Sequence, residues 1–234
     1  DLIVIDVRGT AHNLCLNVPP RHSKSMIFNA LGPTWTWLSA PTKAASISHT
    51  SGLARQMNAK RKAIINSDEF QDLYGDMICL NTNQTSYLLD QRGGELYSLN
   101  RNAMTGYGAD IIVNDDLTNA ETARKDMREM LNAWSYYQNT MPSRINNISK
   151  CFIMNVQQRL AVNDITGMIM QNADLSKTYK FVVLPAIFEK DTVLVCPISG
   201  DLIYYKKGDG LWPERFGDYS DLRNQVGPTI FETQ

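Results

Sequence analysis

Apolar runs broken by short polar stretches mark out strands along most of this chain, with helical spacing between them. Leu2 to Val7 and His12 to Val18 predict two strands around an Arg8-Gly9 turn. The second strand runs into Pro19-Pro20-Arg21-His22-Ser23-Lys24-Ser25, and a helix is predicted from about Lys24 to Ala30, stopped by Gly32-Pro33. Thr34 to Ala40, rich in Trp, Thr and Leu, predicts another strand, after which Pro41 opens a long helical region to about Ser67. Tyr87 to Asp90 and Glu95 to Leu99, flanking Gln91-Arg92-Gly93-Gly94, predict a hairpin. Ile111 to Val113 have the β-branched, apolar character of a buried parallel strand, and the run breaks abruptly into Asn114, Asp115 and Asp116.

The second half of the chain continues the alternation. Thr118-Asn119-Ala120-Glu121 fits a capping box, with Thr118 at the helix start and Glu121 reaching back. The helix that follows carries Ala123, Met127, Met130, Leu131, Trp134 and Tyr137 on one face, as a core-facing helix does. Cys151 to Val156 predicts a further strand ending in Gln157-Gln158-Arg159, and Asn163 or Asp164 starts a new helix. Asp191 to Cys196 and Leu202 to Lys206 alternate as a small hairpin beside the main sheet. The fold class this predicts is α/β, with a mostly parallel central β-sheet between helical layers.

Composition narrows this picture only a little. A chain of 234 residues, 43% hydrophobic, is long enough to bury one sizeable α/β core, and one domain is expected. Lys plus Arg is 23 and Asp plus Glu is 24, so the net charge of −1 leaves no global footprint for nucleic acid, and any such contact must be a local patch. The most basic segment is Arg55 to Lys62, which reads as a solvated helix face in preference to a DNA or subunit contact. Cys15, Cys79, Cys151 and Cys196 have neither metal-ligand nor disulfide spacing and read as small hydrophobes in a reducing compartment. No stretch approaches the roughly 18 unbroken apolar residues of a membrane span, and no secretory leader is visible, so a soluble, intracellular protein is expected.

Three strand ends carry the candidate chemistry. The first closes on Lys24-Ser25, the ending of a phosphate-binding loop: backbone N–H groups meet phosphate oxygens, a lysine adds charge near the terminal phosphates, and a hydroxyl holds Mg2+. The full pattern has glycines where this chain has Val18 and Ser23. The second is Asp115-Asp116, where one acid suits a Mg2+ shell and its neighbour suits orienting or deprotonating the attacking water. By itself that pair reads equally as a solvated turn; the loop upstream favours the chemical reading. The third is Gln157, Gln158 and Arg159, positioned at a strand end to face a γ-phosphate from beside Asp115, with a plain strand-end turn as the alternative.

The ordered words Pro19-Pro20-Arg21-His22-Ser23-Lys24-Ser25, Thr105-Gly106-Tyr107-Gly108-Ala109-Asp110 leading into Asp115-Asp116, and Gln157-Gln158-Arg159-Leu160 with Asn163-Asp164-Ile165-Thr166-Gly167 resemble the large terminase subunit of tailed bacteriophages. Val183-Leu184-Pro185-Ala186-Ile187 and Leu211-Trp212-Pro213-Glu214-Arg215-Phe216 agree, so the likeness runs from near residue 9 to the chain end. The resemblance implies a P-loop NTPase fold and an ATPase that drives double-stranded DNA into a preformed capsid, using ATP and Mg2+. It also implies a portal protein and a small terminase subunit as partners, a homo-oligomeric ring when assembled, a monomer in isolation, and a place in the host cytoplasm docked transiently on the procapsid. In that family an RNase H-like nuclease domain follows. This chain ends at Phe231-Glu232-Thr233-Gln234, about where the link to such a domain begins, so the expectation is a core over 1–188, a hairpin and linker-like end over 189–234, and no DNA cleavage.

Carried over by the resemblance, Lys24 contacts the β- and γ-phosphates and Ser25 the Mg2+, with Pro20, Arg21, His22 and Ser23 completing the loop around the nucleotide. Arg21 matches an arginine kept there as a phosphate or coupling contact. Asp115 is the metal-shell carboxylate, and Asp116 falls where many relatives have the catalytic glutamate. Gln158 and Arg159 match the motif that links hydrolysis to movement. An arginine finger from a neighbouring subunit is expected of a ring motor, with Arg101 and Arg92 as candidates. A helicase-like DNA translocase and a nucleotide-binding scaffold without turnover are the alternatives.

Overall fold

The computed structural model describes residues 13–80, 87–195, 199–217 and 219. The predicted Leu2 to Val7 strand, the Arg8-Gly9 turn and Cys196 lie outside them. Seven strands form the main sheet: β1 (Asn13–Asn17), β2 (Lys43–Ser48), β3 (Tyr87–Leu89), β4 (Glu95–Asn100), β5 (Ile111–Asp115), β6 (Phe152–Gln157) and β7 (Tyr179–Val183). Their order is β3-β4-β2-β5-β6-β1-β7, and every pairing is parallel except that of β3 with β4. The mostly parallel α/β fold expected from the alternation of elements is therefore present, with a hairpin at one edge. β8 (Thr192–Val195) and β9 (Leu202–Tyr205) pair as the small separate hairpin.

Parallel strands need crossovers, and the crossovers supply the two outer layers. On one face lie a π-helical turn (Ser25–Leu31) continuing into α1 (Gly32–Ser39), then α2 (Ser51–Ile65) and α3 (Asp68–Tyr74). Trp37 and Ile65 from this layer bury against Ala44, Leu88 and Leu96, and Phe28 packs on the cluster of Leu14, Val113 and Met154. On the other face lie α4 (Ala120–Lys125), α5 (Met127–Ser135), α6 (Ile165–Gln171) and the short α7 (Ala173–Ser176). Ala133, Tyr136, Tyr137, Ile165 and Ile169 meet Cys15, Ile47 and Ile112 there, forming the largest core cluster among the described residues. A last turn, α8 (Pro213–Phe216), follows the β8–β9 hairpin.

The strand predicted over Thr34 to Ala40 is α1 instead, and Gly32-Pro33 begins that helix where a stop was expected. Pro33 sits in its first turn, where a missing N–H costs nothing. Thr34 and Thr36 satisfy their hydroxyls on the carbonyls of Ala30 and Pro33. Trp37 is fully buried and donates its indole N–H to the Thr42 carbonyl at 2.9 Å. Burial of this one large side chain outweighs the strand preference of its neighbours. The helix predicted from Pro41 begins only at Ser51, capped by Thr50, because Lys43–Ser48 is a strand.

Three smaller expectations also change. Asn119 caps α4 in place of Thr118, accepting the N–H groups of Glu121 and Thr122. The helix after it breaks at Asp126, which caps α5, so the anticipated stripe splits: Ala123, Met130 and Tyr137 are buried while Met127 and Leu131 are exposed. Cys15 and Cys151 are buried as expected, but Cys79 is exposed. Among the described residues no helix is long and apolar enough to cross a membrane.

Candidate functional site

Register brings the predicted chemistry together. Asn17 pairs with Gln157, and Val156 pairs with Asp115, so the carboxyl ends of β1, β6 and β5 finish side by side. In a parallel sheet, the crevice beyond such ends is where ligands are held. The loop leaving β1 carries Arg21 at φ 61° and Ser23 at φ 57°, and Asp116 just beyond β5 has φ 46°. These are the three non-glycine residues in left-handed conformation among the described residues. That backbone is disfavoured by on the order of 1–2 kcal/mol per residue, and strain of this kind clusters at functional sites. Ser23 takes a glycine-like conformation at the place where the phosphate-loop pattern has glycine.

Two contacts join the loop to the acids. The Lys24 Nζ lies 2.8 Å from the Asp116 Oδ2, and the Ser25 hydroxyl donates to the Asp115 Oδ1 at 2.9 Å. Asn29, one helical turn after Ser25, donates to the other Asp115 oxygen at 2.7 Å. Asp115 is buried, and burial together with the charge of Asp116 pushes its carboxyl up to about 6, against the pull of Asn29, Lys24 and Ser25. Two carboxylates facing one lysine leave a negative surplus when both ionise. The donor set, a hydroxyl and carboxylate oxygens, is the hard-oxygen chemistry that suits Mg2+, which binds through one or two protein groups plus phosphate oxygens.

Residues that were not predicted as part of the site support this arrangement. Arg61, expected on a solvated basic face, is fully buried and donates its Nε to the Asn29 carbonyl at 2.9 Å and one Nη to the Ser98 hydroxyl at 2.6 Å. A further guanidinium contact to the Asn29 side chain, and one from Ser46, fix the amide that faces Asp115. Burial lowers the Arg61 guanidinium to about 10, opposed by Asp115. His49 donates its Nδ1–H to the Asp116 carbonyl at 2.9 Å while the Asp116 N–H donates to Val156 at 2.9 Å. Asp116 is thus held in its left-handed conformation from both flanking strands.

The remaining predicted residues divide. Arg21 is exposed at the loop, and Pro20 accepts from His22 Nδ1 at 2.9 Å. Of the three polar residues that end and follow β6, Gln157 is turned to the Thr166 hydroxyl at 3.0 Å and Arg159 to Asp164 at 2.8 Å. Gln158 keeps a buried carbonyl oxygen without a partner among the described residues, as Asn17 does at the end of β1. Arg101 is engaged within the subunit: both its Nη groups bond Glu129 at 2.9 Å, and one also reaches the Leu117 carbonyl at 2.7 Å. Arg92 is likewise engaged within the subunit, with Asp90 at 2.9 Å and with the Trp37 carbonyl. An apolar groove of about 500 Å3 lies elsewhere, between Phe28, Leu31 and Trp35 and the sheet residues Val113 and Met154.

No family model matches the chain, and no curated protein does. Among solved structures it is similar to the one described as "Crystal structure of the HK97 bacteriophage large terminase", at 14% sequence identity and a TM-score of 0.48. That correspondence covers 77% of this chain and 36% of the other, so the chain spans little more than a third of that protein's length.

Proposed function

We propose that this chain is the ATPase part of a viral DNA-packaging motor, hydrolysing ATP with Mg2+ to move double-stranded DNA. The observation that carries the ATPase reading is the convergence of Lys24 and Ser25 with Asp115 and Asp116, from strands separated in the sheet by β6. The packaging role rests on the ordered sequence words shared with phage large terminases, and with it come a portal protein and a small subunit as partners and a ring of copies as the working state.

In this reading Lys24 binds the terminal phosphates and Ser25 and Asp115 hold the Mg2+. When bound, the metal neutralises phosphate charge and steadies the leaving oxygen. Lys24 is paired with Asp116, so a phosphate that draws the lysine away frees the carboxylate. Asp116 then accepts a proton from water as the water oxygen bonds to the γ-phosphorus and the bond to ADP breaks. Its side chain is one methylene shorter than a glutamate, and its pinned left-handed backbone sets where the carboxylate points. Gln158, which keeps an unpaired buried oxygen, takes the part of responding to the γ-phosphate in this reading.

Phosphate release from ATP tests this reading. The parent chain is expected to turn over slowly without its partners, Lys24→Ala to lose binding and turnover together, and Asp116→Asn to keep binding while turnover falls by about a hundredfold or more. Binding without turnover even with DNA and portal supplied would make the protein a nucleotide-dependent scaffold.

A further inference from the structure

His22 lies inside the phosphate loop between its two left-handed residues, yet it is buried, with its ring in an aromatic pocket. Its ring stacks on Phe216 with centroids 4.5 Å apart, and Trp212 lies at 6.3 Å. Its Nε2 is 3.1 Å from the Tyr219 hydroxyl, which also accepts the Trp212 backbone N–H at 2.8 Å. The polar atoms form one directed chain: Trp212 N–H to Tyr219 oxygen, Tyr219 O–H to His22 Nε2, and His22 Nδ1–H to the Pro20 carbonyl. A neutral imidazole satisfies every member.

The pocket is shaped for this contact. Gly210 leaves room for the tyrosine, since a Cβ there would come within 2.1 Å of the Tyr219 ring. Gly217, at φ 60°, turns the chain between Phe216 and Tyr219. Arg215 covers the outside, 5.0 Å from the Trp212 ring centroid and 5.7 Å from that of Phe216.

We propose that the Trp212, Phe216 and Tyr219 pocket is a latch that grips His22 and thereby holds the phosphate loop in its left-handed, phosphate-receiving conformation; this rests on the reading of the loop as a nucleotide site. Residues without glycine's freedom stay in such a conformation only where surrounding contacts over-determine it. His22 is the buried side chain between Arg21 and Ser23 that supplies those contacts. Tyr219 and His22 are positioning residues, and they tie the nucleotide loop to the segment that follows the β8–β9 hairpin. Because binding energies are reciprocal, nucleotide in the loop tightens the latch as the latch favours nucleotide.

The test is a double-mutant cycle read by calorimetric titration of the full chain with ATP and Mg2+. Tyr219→Phe removes one hydroxyl and is expected to raise Kd about tenfold in the parent. In a Ser23→Gly background, where one of the loop's two left-handed positions needs no external hold, the same substitution is expected to cost a smaller factor in Kd, about threefold. Gly210→Ala displaces the tyrosine by a different route and must show the same background dependence, which covers the case of Tyr219→Phe failing to fold by circular dichroism. An unchanged Kd in Tyr219→Phe, or an equal loss in both backgrounds, overturns the latch while nucleotide binding stands. A parent chain that binds ATP no better than Lys24→Ala overturns the nucleotide reading itself.

Discussion

Arg61 shows how a single side chain organises the acidic end of the site without touching it. Its guanidinium fork holds the backbone and side chain of Asn29, and Asn29 in turn faces Asp115. A lysine has neither the fork nor the planar charge to reach these acceptors together. Arg61→Lys is therefore expected to cost about 2–3 kcal/mol in urea unfolding, through unpaired buried acceptors, and to weaken Mg2+-dependent ATP binding. An unchanged unfolding midpoint would contradict this. The burial of Arg61 was legible in principle, because Ala54, Met57, Asn58, Arg61 and Ile65 share one helical face, whereas Arg55, Lys60 and Lys62 do not. Counting the segment as a block of charge concealed that spacing. Lys24, Ser25, Asp115 and Asp116 were legible because a loop ending and a strand ending each carry their chemistry within a few consecutive residues. His49, Asn29 and Ser46 were not, since their roles come only from register and helix packing.

At the scale of elements, the two largest errors share one cause: tertiary burial overrode local preference. α1 reads as a strand by composition, and it is a helix because Trp37 fits beneath the hairpin. β2 has the composition Lys-Ala-Ala-Ser-Ile-Ser, with few strand-favouring side chains, yet it is central, bonded to β4 and β5 and buried on both faces. Small side chains there let helices approach the sheet, a reason invisible to a propensity argument. The β3–β4 hairpin was found because Gly93-Gly94 meets a specific need on each side. Gly93 takes φ 92°, and Gly94 has the Trp37 indole 2.7 Å from where a Cβ would stand. Gly94→Ala should therefore push Trp37 from its seat and lower stability by about 2 kcal/mol in denaturant melts. A loss as small as that of an exposed glycine-to-alanine change would show that α1 does not depend on this close approach.

For the whole molecule, alternating strands and helices were sufficient to foresee a mostly parallel sheet, while strand order and the antiparallel edge required the structure. The order matters because it sets β6 between the loop strand and the acid strand. The two halves of the site therefore meet across a strand whose own end offers Gln158. The central claim is that one triphosphate and one Mg2+ lie between Lys24, Ser25, Asp115 and Asp116. A crystal structure of the chain with a non-hydrolysable ATP analogue and Mg2+ tests it most directly. The account predicts Lys24 moved from Asp116 to the terminal phosphates, the metal within reach of Ser25 and Asp115, and a water beside Asp116; an analogue bound elsewhere, with the Lys24–Asp116 pair intact, would contradict it.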